Sequence, residues 1–180
     1  SGKMGFAGAG AAARAGHRVT LVTGPVALPD PPGIRTVRVV SADDMYRAVM
    51  SAYPRTDAVI MTAAVGDYRP AERFAGKLKK KSARLTLKLV RTRDILRALG
   101  ERKGRRILIG FALEVQDAVH QAFIKYKKKN LDYVVLNAPR SFASDRMDGA
   151  VYRDGRVVRR FRRARKASVA AWIVSVLGSP

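Results

Sequence analysis

Apolar positions in this chain gather into short runs, with helix-like stretches between them. Met4–Ala15 is rich in Ala and Gly, reads as a helix able to pack closely, and stops at Gly16. Val19–Val22 predicts a strand, and four prolines between Pro25 and Gly33 make the following segment a rigid loop. Arg35–Val40 alternates charged and apolar residues like a strand near a sheet edge. Ser41 is placed to cap a helix over Ala42–Tyr53, with Asp43 and Asp44 at its positive end. Asp57–Ala64 contains the apolar run Ala58-Val59-Ile60-Met61 and predicts a buried, central parallel strand.

Residues 65–82 form a long polar loop, and Leu85–Val90 alternates with the period of a strand. Asp94–Arg102 reads as a short helix, Ile107–Ala112 as another buried strand, Gln116–Lys129 as a helix and Leu131–Asn137 as a strand. A loop to Asp148 leads to two strands around a tight Asp154-Gly155 turn, and Ala167–Leu177 closes the chain as an amphipathic helix. The fold class is therefore α/β, with a mainly parallel sheet flanked by helices and a C-terminal antiparallel hairpin. No repeat or low-complexity linker divides residues 1–180, so one domain is expected. Helix-like sequence begins almost at Ser1 with no strand before it, which reads as an N-terminally truncated domain.

Composition narrows the picture. With no cysteine, disulfides and thiolate metal sites are excluded, in keeping with a reducing, cytoplasmic setting. No apolar stretch is long enough to span a bilayer. The formal charge of +22 argues for polyanionic company such as nucleotides, phosphorylated metabolites, nucleic acid or an acidic partner.

Candidate chemistry starts where the Ala58–Met61 run ends, because ligands of open α/β sheets sit at the carboxyl ends of parallel strands. Met61, Thr62, Ala63 and Asp67 leave the sheet there, followed by Arg69 and the cluster Lys77–Lys81. Lys125 and Lys129 lie one helical turn apart and share a face. Phe111 ends another buried strand, as core packing or as an aromatic wall for a base or sugar. Gly8-Ala9-Gly10 has no strand before it, so close helix packing is the better reading than a dinucleotide fingerprint. His17 and His120 have no carboxylate or second histidine at ligand spacing, which argues against zinc chemistry and a His-based triad. The run Arg159–Lys166 reads first as a solvated surface.

Several segments occur together in a fixed order: Ser1-Gly2-Lys3-Met4-Gly5, Val19–Val26, Ala63–Pro70, Lys77–Lys80, Asp94-Ile95-Leu96, Gly110-Phe111-Ala112, Asn130-Leu131-Asp132 and Asn137. This set resembles bacterial phosphopantothenoylcysteine synthetase, the ligase half of the bifunctional flavoprotein of coenzyme A biosynthesis. The resemblance implies a Rossmann-like domain that joins phosphopantothenate to L-cysteine with CTP through an acyl-cytidylate, releasing CMP and pyrophosphate. It implies Lys77 as the catalytic lysine, on a flap that closes over the triphosphate. It also implies nucleotide contacts at Met61, Thr62, Ala63, Asp67, Asp94, Ile95, Phe111, Lys125 and Lys129, with Mg2+ bound through the triphosphate. A homodimer is implied, and FMN only if a flavin-dependent decarboxylase domain precedes this chain. The family's Gly-Gly-Thr loop and catalytic asparagine would lie before residue 1. Thr92 and Arg93 stand where the family usually has asparagine and proline, and Leu113 and Val115 interrupt its usual Gly-Phe-Ala-Ala-Glu-Thr. Two alternatives remain at this point: a basic nucleic-acid-binding protein on the same scaffold, and a non-catalytic nucleotide-binding homologue.

Overall fold

The computed structural model of the chain describes residues 1–72, 76, 84–113, 127–138 and 144–178. The elements run α1 (Lys3–Arg14), β1 (Thr20–Thr23), β2 (Arg35–Arg38), α2 (Ala42–Ala52), β3 (Ala58–Met61), β4 (Tyr68–Pro70) and β5 (Leu89–Arg91). They continue with α3 (Ile95–Glu101), β6 (Ile107–Leu113), β7 (Tyr133–Asn137), β8 (Arg146–Arg153), β9 (Arg156–Arg165) and α4 (Lys166–Ser175). A five-stranded sheet has the order β3-β6-β7-β8-β9. β3, β6 and β7 are parallel, while β8 and β9 are added antiparallel. β1 and β2 form a separate parallel pair. The expected α/β class with a terminal antiparallel hairpin is what forms.

Local chemistry accounts for the boundaries. Ser41 caps α2 with a full capping box: its hydroxyl accepts from the Asp44 amide at 3.1 Å, and the Asp44 carboxylate accepts from the Ser41 amide at 3.0 Å. Asp154 and Gly155 have φ of 50° and 76°, the paired positive values that a tight two-residue hairpin requires. Three expectations differ. Residues 65–82 are not wholly loop, because Tyr68–Pro70 forms β4 and pairs antiparallel with β5. Of the expected Leu85–Val90 strand only Leu89 and Val90 are laddered, in β5, which continues to Arg91 in a two-stranded ribbon apart from the main sheet. β3 also ends its ladder among the described residues rather than sitting centrally, and all its residues are only half-buried.

The sheet is covered on both faces, and strand alternation sorts the core. Leu108, Ala112, Val134 and Leu136 pack with Met45, Tyr53, Ile95 and Leu99 from the α2–α3 side. Ile109, Tyr133, Val135, Met147 and Val151 pack with Phe161, Val169 and Ile173 on the α4 side. α1 joins this second face through Ala11 and Ala12 against Ala170 and Val174. Fully buried side chains such as Leu108 and Ile173 each contribute about 1.5–3 kcal/mol of transfer free energy.

Polar clamps fix the strand starts. Asp132 accepts from the Leu108 amide at 2.7 Å and from Lys103 Nζ at 2.8 Å, locking β6 to β7 at the end away from the strand tips. Arg106 donates to the carbonyls of Tyr53, Pro54 and Thr56 and stacks on the Tyr53 ring, whose hydroxyl donates to the Leu99 carbonyl.

Close packing of α1 falls at Gly5, where an added Cβ would lie 2.9 Å from Thr62 Oγ1, whereas Gly8 has nothing within 4 Å. The tightest approach in α3 is at Gly100, where a Cβ would sit 2.1 Å from the Lys129 carbonyl oxygen. Replacing a helical glycine by alanine gains about 1 kcal/mol of propensity, and overpacking costs about 1–3 kcal/mol. Gly8→Ala is therefore expected to raise the urea midpoint. Gly100→Ala is expected to lower it, because the contacted atom is main chain and cannot rotate away.

Candidate functional site

The connections place the site at the carboxyl ends of β3, β6 and β7. α3 leads into the start of β6, so its own first turn lies toward those carboxyl ends. Asp94 is the N-cap of α3, and its carboxylate accepts from the Arg97 amide at 3.0 Å. The other carboxylate oxygen meets Lys129 Nζ at 2.8 Å. Lys129 thus spans α3, with its carbonyl against Gly100 and its ammonium at the helix start. Asn130, held at φ 51°, donates its side-chain amide to the Gly100 carbonyl at 3.3 Å and completes the crossing.

Electrostatics follows from this contact. Partial burial by itself would raise the Asp94 carboxyl. The hydrogen bonds from Lys129 and the Arg97 amide, together with the charges of Lys129 and Arg97, outweigh burial and hold it below the ordinary aspartate value. Lys129 is one-quarter exposed, so its ammonium can exchange a carboxylate for a phosphate without a large desolvation cost.

Other candidate residues gather at the same edge. Met61, the last residue of β3, pairs with Gly110 of β6, and Thr62 follows it under Gly5 of α1. Ala63 and Asp67 are exposed. The Asp67 carbonyl accepts from the Thr92 amide at 2.9 Å, tying the segment after β3 to the residues before α3. Arg69 reaches Asp43 at the start of α2, with Nε 3.4 Å from Oδ2. Arg93 stacks over the Tyr46 ring at 5.0 Å, a cation–π contact that gives this residue a local partner.

Two candidates point elsewhere. The Ile95 side chain is 2% exposed and belongs to the core, which leaves only its main chain for a ligand. Phe111 is half-buried against the α4-side cluster, on the opposite face from Asp94 and Lys129, so a ligand touching all three would straddle the sheet edge. Lys77, the rest of Lys77–Lys81, and Lys125 lie outside the described residues. So does most of the expected Gln116–Lys129 helix.

Sequence reasoning gave two groups no site role of their own. Asn137, at the end of β7, has a buried amide oxygen with no hydrogen-bond partner. Such a group calls for an explanation, and a ligand donor at the strand end would supply one. Lys166 is 8% exposed and opens the buried stripe of α4 that continues at Val169, Ala170, Ile173 and Val174. Starting the closing helix at Ala167 hid that stripe's first member. Arg159, Arg160, Arg162 and Arg163 lie on β9, the outer strand among the described residues, where charge guards an open edge against further pairing. Its one aromatic, Phe161, is buried and offers no platform for a base.

Among the described residues no group of three or more His, Cys, Asp or Glu is arranged to hold a metal, and no helix is long and apolar enough to cross a membrane.

Comparison with known proteins adds an independent line. Residues 1–179 match the family described as DNA/pantothenate metabolism flavoprotein C-terminal domain. The chain is 50% identical over 138 residues to the Coenzyme A biosynthesis bifunctional protein CoaBC of Bacillus subtilis, covering 76% of this chain and 34% of that protein. It is 34% identical over 180 residues to the protein of the same name from Borreliella burgdorferi, covering 98% of this chain and 46% of that protein. The chain therefore spans less than half the length of these relatives. The crystal structure of the C-terminal domain of a CoaBC protein superposes with a TM-score of 0.84 at 39% identity, over 98% of this chain and 81% of that one.

The lowered Asp94 pKa gives a signed expectation. Stability from the Asp94–Lys129 pair is fully present above the unfolded aspartate value of about 3.9 and is lost as pH falls through the lower folded value. Asp94→Asn keeps the cap and loses the pair; Asp94→Ala loses both and should cost about 1 kcal/mol more. Urea unfolding from pH 7 to pH 2.5 should show the gap between the native chain and Asp94→Asn closing only below pH 4 or so.

Proposed function

We propose that this chain, which belongs to the family of DNA/pantothenate metabolism flavoprotein C-terminal domains, is a ligase domain that joins phosphopantothenate to L-cysteine with CTP. The observation that carries the reading is the Asp94–Lys129 pair at the start of α3, beside the strand-end main chain of Met61–Ala63. The resemblance of the sequence to the ligase half of CoaBC-type proteins gives that edge its chemistry.

The reaction has two steps. The phosphopantothenate carboxylate attacks the α-phosphorus of CTP; the bond to the bridging oxygen breaks, pyrophosphate leaves, and an acyl-cytidylate forms. The cysteine amine then attacks the acyl carbon, CMP departs with the bonding pair, and the amine's proton is lost to give the amide. Charge builds on the phosphate oxygens in the first step. Lys77 is the group assigned to neutralise it, with Lys125 and Lys129 holding the remaining phosphates. Lys129 can leave the exposed side of Asp94 for the nucleotide, and Asp94 keeps its bond to the Arg97 amide when it does. The orphaned Asn137 oxygen suits the exocyclic amine of a cytosine. Mg2+ fits best as an ion carried by the triphosphate, since no carboxylate cage stands among the described residues.

A homodimer is part of this reading. Leu85, Leu87 and Leu89 alternate along the segment of the β4–β5 ribbon, each more than half exposed with Tyr68 beside them. Such a stripe is unusual on a monomer and suits a second copy of the ribbon. A flavin-dependent decarboxylase, fused or separate, is the expected partner that consumes the product; FMN belongs to that partner. The setting is the cytoplasm.

Two experiments test the proposal. The full-length protein should transfer cytidylyl groups to phosphopantothenate, and Lys77→Gln should lower the rate at least about a hundredfold, the scale of removing one transition-state charge partner. Full activity of Lys77→Gln contradicts the mechanism. Leu87→Lys should shift sedimentation from dimer to monomer and remove the dependence of the unfolding midpoint on protein concentration.

A further inference from the structure

A cavity of about 440 Å3 opens between the first turns of α1 and α4 and the start of β8, on the face of the sheet away from α2 and α3. One wall is basic: Lys3, Arg146, Arg165 and Lys166 surround Asp145, the one carboxylate among the described lining residues. The other wall is apolar, with Phe6 of α1 and Leu28 of the proline-rich loop. Arg38 fixes that loop by donating to the Leu28 carbonyl at 3.0 Å and to Asp30 at 2.6 Å. None of the described residues assigned to the nucleotide lines this cavity.

The arrangement of charge is costly as it stands. Lys3 Nζ lies 2.7 Å from Asp145 Oδ1, so that carboxylate is already engaged. Strand register sets Arg146 directly opposite Arg165, and like charges across a strand pair repel. Lys166 is 8% exposed. Its burial, followed by the neighbouring charge of Lys3, pushes the ammonium below the usual lysine value, and Asp145 only partly opposes them. A ligand bringing negative charge would ease the opposition of Arg146 and Arg165 and the mutual repulsion of Lys3 and Lys166.

We propose that this cavity is a binding site for an organophosphate, its phosphate against Lys3, Arg146, Arg165 and Lys166 and its apolar ester group against Phe6 and Leu28. A phosphate monoester supplies two negative charges and several acceptor oxygens to this basic wall. The cavity volume falls within the range of small-molecule sites. The apolar wall selects a substituted phosphate over the free ion.

Phenyl phosphate is a suitable probe, titrated by calorimetry into the chain with and without saturating CTP, against inorganic phosphate as the comparison. Phenyl phosphate should bind once per chain, more tightly than inorganic phosphate, and equally well in the presence of CTP. Lys166→Met and Arg165→Ala should each weaken it about tenfold, the effect of losing one charge-assisted bond. Lys166→Met replaces a buried ammonium by an apolar chain of similar length, and Arg165 is exposed, so one of the two variants remains informative if the other fails to fold. Displacement of phenyl phosphate by CTP overturns the proposal, as does unaltered binding in both folded variants or equal affinity for inorganic phosphate.

Discussion

The crossing of the Lys129–Asn130 main chain over Gly100 is the contact from which the candidate site is built. Only a residue without Cβ lets the Lys129 carbonyl come so close to α3. Once there, the lysine side chain lies along the helix and its ammonium reaches the capping carboxylate of Asp94. One glycine therefore sets the distance, and one aspartate does two tasks: it closes the helix start and holds a cation there. The turn that carries Lys129 also leads into β7, so the geometry of the charge is tied to the register of the sheet.

The two ends of the parallel strands are treated differently. At their starts, Asp132, Lys103 and Arg106 are fully engaged with main chain and with each other. Those groups hold the scaffold and have little to spare. At the carboxyl ends, polar groups are exposed or only partly paired: Asp67 faces solvent, Lys129 keeps a quarter of its surface, and the Asn137 oxygen is unsatisfied. Binding capacity accumulates where pairing is incomplete. The same contrast separates the two halves of the arginine-rich tail: among the described residues the middle of β9 is a charged open edge, while Lys166 is buried and, with the exposed Arg165, lines a cavity.

Sequence patterning captured what local rules control. The Ser41 cap, the Asp154-Gly155 turn and the alternation of buried strands each follow from one or a few neighbouring residues, and each forms as expected. What it missed depends on contacts distant in sequence. β4 is three residues long and exists only because β5 pairs with it about twenty positions later. Gly5, and not Gly8 or Gly10, takes the close packing of α1, because Thr62 arrives there from β3. Lys166 looked like part of a solvated run until its helix was seen to begin one residue earlier. The spacing that placed Lys125 and Lys129 on one face could not reveal Asp94 as the partner of Lys129, since that pairing spans two elements.

Hydrogen exchange measured with and without CTP tests the central claim, that the carboxyl ends of the parallel strands and the start of α3 form one nucleotide site. The account predicts slowed exchange at residues 61–67, 92–95 and 127–130, with β8 and β9 unchanged. Unchanged exchange at those three segments, or protection confined to β8 and β9, would contradict it.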